Sequence, residues 1–174
     1  MFMRESVRSV IHEFPQIEAA GVESPDFNDL WSEGMYGLFL YVNEALLLER
    51  KDVVFFAPTV VKMLTKMDPS VRRGTMDKQD MITAARVDTG IKKWKHDEAD
   101  AYHVARHAAR FWDRYFDRIT DEELTPSELH SFTRIHVFKR GLRAGRVERR
   151  GLVYREDDRF FRYSKLEAHT DGSA

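Results

Sequence analysis

The chain has 174 residues and a mass of 20.5 kDa, room for one domain with its own core and too little for a multidomain machine. Hydrophobic residues make up 43% and charged residues 33%, with nine Gly and five Pro, which excludes intrinsic disorder for most of the length. Cys is absent, so a disulfide framework, a zinc finger and any thiolate metal site are excluded, and carboxylate oxygen and imidazole are left as metal ligands. The net charge of −1 is an average over an uneven chain, because residues 134 to 155 hold eight basic side chains against Glu148 alone. Such polarity suits a polyanion held at one end and a carboxylate-rich site elsewhere, or else a solvated basic hairpin.

In chain order, Ile17 to Glu23 is a short, mainly apolar run stopping at Ser24-Pro25, which predicts a buried strand with Glu23 as its last residue. Leu30 to Arg50 has helical apolar spacing and predicts a long, largely buried helix, with Gly34 and Gly37 allowing close packing. The stretch Gly34 to Leu48 is broken by Asn43 and Glu44 and falls short of a bilayer span. The N-terminal MFMRESVRSV has no apolar signal region, and the expectation is a soluble, cytosolic protein that makes no use of a membrane. Val53 to Ala57, closed by Pro58, predicts an interior strand. There follow a short helix (PTVVKMLTKM), a basic loop around Arg72-Arg73-Gly74, a helix from about Asp77 to Val87, and a longer helix from Asp97 to about Phe116. Thr125-Pro126 opens another helix, and Val153 and Arg155 alternate with Phe161 and Tyr163 across Asp157-Asp158 as a terminal hairpin. Ala168 to Ala174 reads as a loose tail.

The helix from Asp97 carries the chemistry. Ala101, Val104, Ala105, Ala108, Phe111, Trp112 and Tyr115 form one apolar stripe. Asp97 projects about 20° from its centre and Asp100 about 60° round, so two acids face the side that packs. An inward carboxylate is costly unless paired, hydrogen-bonded or bound to a cation; the alternative is capping of the helix start. The same Asp-x-x-Asp spacing recurs at Asp26/Asp29, in a turn, and at Asp77/Asp80, opening a helix as a cap would. Glu23, at the carboxyl end of a strand, is the natural third member, since ligands in open α/β sheets gather beyond those ends. Three oxygen donors suit magnesium or manganese, and paired ions of that kind support phosphodiester hydrolysis.

His103, Arg106, His107, Arg110 and Arg114 fall away from the stripe, which predicts a solvated or phosphate-facing surface. His96-Asp97 opens a second reading, an HD-type metal phosphohydrolase, although such enzymes are all-helical and VVFFAP reads as strand.

Taken in order, these segments resemble the RuvC-like Holliday junction resolvases, especially phage-type members, within the ribonuclease H-like superfamily. FPQIEAAGVES resembles the strand bearing that family's catalytic Glu, GMYGLFLYVNEALLL its long interface helix, and VVFFAPTVVKMLT the next strand with its Pro and Val-Lys pair. Gly74 to Lys78 is similar to a Gly-x-x-x-Lys segment, and DEADAYHVARHA to the closing Asp-x-x-Asp-Ala helix. The resemblance implies metal ligation by Glu23, Asp97 and Asp100, Lys78 as a cation beside them, and DNA contacts by Lys62, Lys78, Arg72 and Arg73. It implies a homodimer that cuts four-way or branched DNA with Mg2+, Mn2+ serving as substitute. It departs at one place: the family opens with a strand carrying Gly-x-Asp-x-Ser/Thr, and nothing before Glu23 matches it. The implied architecture is therefore an α/β, ribonuclease H-like fold lacking its first three strands, with a C-terminal helix and β-hairpin extension. Residues 1–120 would be the nuclease core, 121–167 the basic extension and 168–174 a disordered tail. A junction-binding protein that does not cut is the alternative this departure opens.

Overall fold

In the computed structural model, residues 2–24, 33–66, 76–159, 161–164 and 166 are described. The elements are α1 (Phe2–Glu13), β1 (Ala19–Glu23), α2 (Glu33–Leu48), β2 (Asp52–Phe56), α3 (Pro58–Thr65), α4 (Lys78–Thr89) and α5 (His96–Tyr115). A 3-10 turn (Asp121–Glu123), α6 (Pro126–Thr133), β3 (Ile135–Val137), β4 (Val147–Arg149), β5 (Val153–Arg155) and β6 (Arg162–Tyr163) complete the chain. The expected strands and helices are present within a few residues of their predicted ends. The loop at Arg72-Arg73, the Asp26/Asp29 turn and the 168–174 tail lie outside the described residues.

Four strands form one sheet in the order β1-β2-β5-β6, and β3 and β4 form a separate antiparallel ribbon. β1 and β2 run parallel, with Glu23 opposite Phe56, so both strands deliver their carboxyl ends to the same side of the molecule. β5 runs antiparallel on the other edge of β2, pairing Val54 with Tyr154, and β6 continues the expected hairpin with Val153 opposite Tyr163. The C-terminal hairpin thus closes one edge of the parallel pair; among the described residues the outer edge of β1 has no strand beside it.

Strand periodicity divides the interior in two. Val54 and Phe56 face α5 in a core with Val104, Ala108, Phe111, Trp112, Phe132 and Tyr154, while Val53 and Phe55 face Ile11 of α1 and Leu46 of α2. Phe111 is the hub of the first core, its ring 5.5 Å from Phe132 and 5.8 Å from Tyr154. At Gly21 a Cβ would lie 2.7 Å from that of Ala108 and 2.9 Å from the Val104 carbonyl, so only glycine lets β1 approach α5 this closely.

Four expectations are corrected. β1 is not a buried strand: Ala19 to Val22 are half-buried and Glu23 is exposed, because β1 lies at the edge of the sheet. α2 is not largely buried: Met35, Tyr36, Leu40, Tyr41 and Leu48 are each about half exposed, because α1 and the sheet cover only part of its apolar surface. His103 and His107 are not a solvated face. Both are buried, His103 bonded to the Met81 carbonyl at 3.0 Å and His107 to the Thr65 hydroxyl at 3.0 Å, because α3 and α4 pack on that side of α5. Arg155 does not join the basic surface. It is buried, donating to the carbonyls of Asn43 at 3.4 Å and Lys51 at 3.5 Å.

Candidate active site

β1 ends at Glu23, and the Ser24 amide donates to the Phe56 carbonyl at 2.8 Å, which fixes the point where the strand leaves the sheet. Close packing at Gly21 sets the first turns of α5 against β1. In consequence Glu23 and the pair Asp97/Asp100, more than seventy positions further along the sequence, line one hollow of about 370 Å³ together with Gly21, Val22, Val42, Ala101 and Val104. The hollow opens at the carboxyl ends of the parallel strands, where α/β sheets bind ligands.

Glu23 is exposed as a residue, and it lines the hollow together with Asp100. Burial pushes its pKa above the usual carboxylate range, the nearby Asp100 charge adds to that, and Lys62 of α3 partly offsets it. Asp97 and Asp100 are joined by the first residue of α5, which the sequence alone put in a different role. His96 places Nδ1 3.0 Å from an Asp97 carboxylate oxygen and Nε2 3.2 Å from an Asp100 oxygen. The signal was present as i,i+4 spacing from His96 to Asp100 on a helix.

Neither aspartate caps α5 through a hydrogen bond, but the expectation that both face the packed side is corrected: the Asp97 side chain is fully exposed in the first turn of α5, where a carboxylate favours the helix dipole, and only Asp100 is partly covered. Lys95 is the N-cap of α5, and Glu98 reaches back to its amide at 3.0 Å. At α4, by contrast, Asp77 and Asp80 do form a reciprocal capping box, at 2.9 and 3.0 Å. Identical spacing therefore has two outcomes, decided by where each helix begins: Asp77 is the N-cap of α4, whereas Asp97 is already the second residue of α5. Among the described residues no three His, Asp or Glu side chains converge closely enough to hold one ion as they stand, since His96 engages both aspartates and the Asp97 side chain is fully exposed.

No protein-family model and no curated protein matches the sequence. The structure, however, matches that of Thermus thermophilus RuvC with a TM-score of 0.51 at 24% identity, covering 66% of this chain and 67% of the other. The fold is RuvC-like. A RuvC-like sheet disposes of the HD-type reading as an architecture, since the core here is built on strands and not on helices alone. Around this RuvC-like core the remaining predicted residues divide. Lys62 stands near Glu23, whereas Lys78 is an exposed first residue of α4 and does not line the hollow. Arg72 and Arg73 lie outside the described residues.

Proposed function

We propose that the chain is a structure-selective DNA endonuclease that resolves four-way (Holliday) junctions by magnesium-dependent phosphodiester hydrolysis, a phage-type relative of the RuvC-like resolvases. The observation that supports this most is that Glu23, Asp97 and Asp100 line one hollow at the carboxyl end of a parallel strand pair. The donors are all hard oxygens, and the mutual repulsion of Glu23 and Asp100 is of the kind a divalent cation relieves. Glu23, Asp97 and Asp100 would hold it, with Mn2+ as substitute for Mg2+. When bound, the ion supplies Lewis-acid polarisation of the scissile phosphate and a water of lowered pKa.

The protein's own groups then have distinct tasks. His96 restrains Asp97 and Asp100 side by side on α5. Lys62 brings positive charge to the Glu23 side of the hollow, where it would meet a backbone phosphate. Lys78, Arg72 and Arg73 would add sequence-independent phosphate contacts, giving recognition by DNA shape. The half-exposed apolar residues of α2 would form the contact between two copies in a homodimer.

A second reading, junction binding without cleavage, is favoured by one observation: among the described residues no three carboxylate or imidazole side chains stand close enough to hold one metal ion. Among the described residues no strand lies beside the outer edge of β1, which ends at Glu23, so a strand from another segment or chain would be received there. Incubating the full chain with a labelled four-way junction and Mg2+ separates the readings. The nuclease reading expects paired nicks in the wild type that Glu23→Gln and Asp100→Asn abolish while binding persists. Salt-sensitive binding with no cleavage under Mg2+ or Mn2+ establishes the second reading instead.

A further inference from the structure

The basic stretch noted in the sequence resolves into a defined object, the β3–β4 ribbon and its connection. Ile135 pairs with Arg149, His136 with Glu148 and Val137 with Val147, and the Phe138 amide extends the pairing to the Arg146 carbonyl at 3.0 Å. The connection closes tightly, the Gly145 amide donating to the Phe138 carbonyl at 2.8 Å, and Gly141 and Gly145 both take positive φ, 79° and 81°. At the tip stands Leu142, its relative exposure 109%, an aliphatic side chain with no apolar neighbour to cover it.

Charge surrounds that tip. Lys139, Arg140, Arg143 and Arg146 lie in the connection, with Arg134, Arg149 and Arg150 along the strands. Glu148, the lone acid of the ribbon, is taken up by Arg150 at 3.0 Å. The Arg143 and Arg150 guanidinium carbons lie 5.7 and 5.2 Å from the centroid of the Phe138 ring, so one aromatic side chain draws in two guanidinium groups. The four like charges of the connection, Lys139, Arg140, Arg143 and Arg146, lie within eight residues and repel one another, a cost that an anionic ligand removes.

The root of the ribbon is rigid and faces the acid hollow's end of the sheet. Val153 pairs with Phe55, so residues 152 to 150 continue past the carboxyl end of β2. Gly151 is packed so closely that a Cβ would lie 2.6 Å from the Phe132 carbonyl. Gly151 and Leu152 share a hollow of about 400 Å³ with Ser24, the residue after Glu23, and Arg134 and Arg150 share another with Thr59 and Val60 of α3, the helix that carries Lys62. The ribbon and the carboxylates therefore occupy the same end of the molecule.

We infer that the β3–β4 ribbon is a DNA-gripping arm. Lys139, Arg140, Arg143 and Arg146 hold the phosphate backbone of a duplex arm, and Leu142 rests against base faces exposed where stacking is interrupted, as at a branch point. This rests on the reading of the chain as a junction-acting protein and adds the surface that holds the substrate.

The test uses the full chain, a four-way junction with 2-aminopurine at its branch, and a linear duplex of the same length. Removing Lys139, Arg140 and Arg146 together (each →Ala) is expected to weaken junction binding at least tenfold. It should also flatten the dependence of log affinity on log salt by about one unit for each lost phosphate contact. Leu142→Ala is expected to lose most of the 2-aminopurine fluorescence rise while keeping the salt slope. Circular dichroism melts within a few degrees of wild type show that these exposed substitutions leave the fold intact. If the wild type binds the junction and the triple variant has the same affinity and slope, the arm is overturned and the junction reading stands. An unchanged fluorescence rise in Leu142→Ala overturns the wedge. If the wild type binds neither DNA but the ribbon charges are needed for binding phosphatidylserine vesicles, both this inference and the junction reading fail.

Discussion

Glu23 holds a carboxyl group whose ionisation works against the fold. Burial and the Asp100 charge raise its pKa, so the native state binds its proton more tightly than the unfolded chain does. The sign follows: this group's contribution is most favourable below the ordinary carboxylate pKa and is lost as pH rises through the raised one. Glu23→Gln should therefore melt higher than wild type at pH 7 and lose that advantage at pH 4, measured by thermal denaturation. His107 works oppositely. Burial lowers its pKa to about 3 from 6.5, with Arg106 and His103 contributing, so the unfolded chain takes up a proton across a window in which native His107 does not. Stability should be full above pH 6.5 and drain as pH falls toward 3. His107→Gln should flatten that part of the urea-midpoint profile, whatever it costs at pH 7.

At the scale of elements, Gly21 couples the sheet to the helix that carries the acids. A valine there meets Ala108 and the Val104 carbonyl, so α5 must move off β1. Gly21→Val should cost about 1–3 kcal/mol in chemical denaturation. It should also lower cleavage by more than that loss accounts for, because Asp97 and Asp100 retreat from Glu23. Strands and helices were legible in the sequence because their cues are local: the β-branched run Val53–Phe56 with its Pro, the Asp77/Asp80 box, and the alternation around Asp157-Asp158. The burial of His103 and His107 was not. Alanines counted as apolar drew the α5 stripe toward Ala101 and Ala105, both exposed, whereas the buried face lies roughly 60° round, toward the histidines. What turned it was α3 and α4, supplying the Thr65 hydroxyl and the Met81 carbonyl, and no periodicity within α5 encodes those partners. The bridging role of His96 was local in sequence yet missed, since its contact with Asp100 requires that α5 begin at His96 rather than at Asp97.

For the whole molecule, the two ends of the charge distribution have separate structural homes. The acids gather in a hollow at the sheet's carboxyl end, and the basic side chains project on a ribbon rooted beside it. An apolar surface remains on α2, and if it joins two copies, Leu40→Glu should halve the mass seen by sedimentation while leaving the melting temperature of the separated chain near wild type. Everything proposed for catalysis depends on the carboxylates acting together on a divalent cation. Titration of the full chain with Mn2+, followed by electron paramagnetic resonance in the presence of junction DNA, addresses this directly. Saturable binding that falls at least tenfold in both Glu23→Gln and Asp100→Asn is the predicted result. Equal binding in the wild type and both variants, or none in any of them, would contradict it.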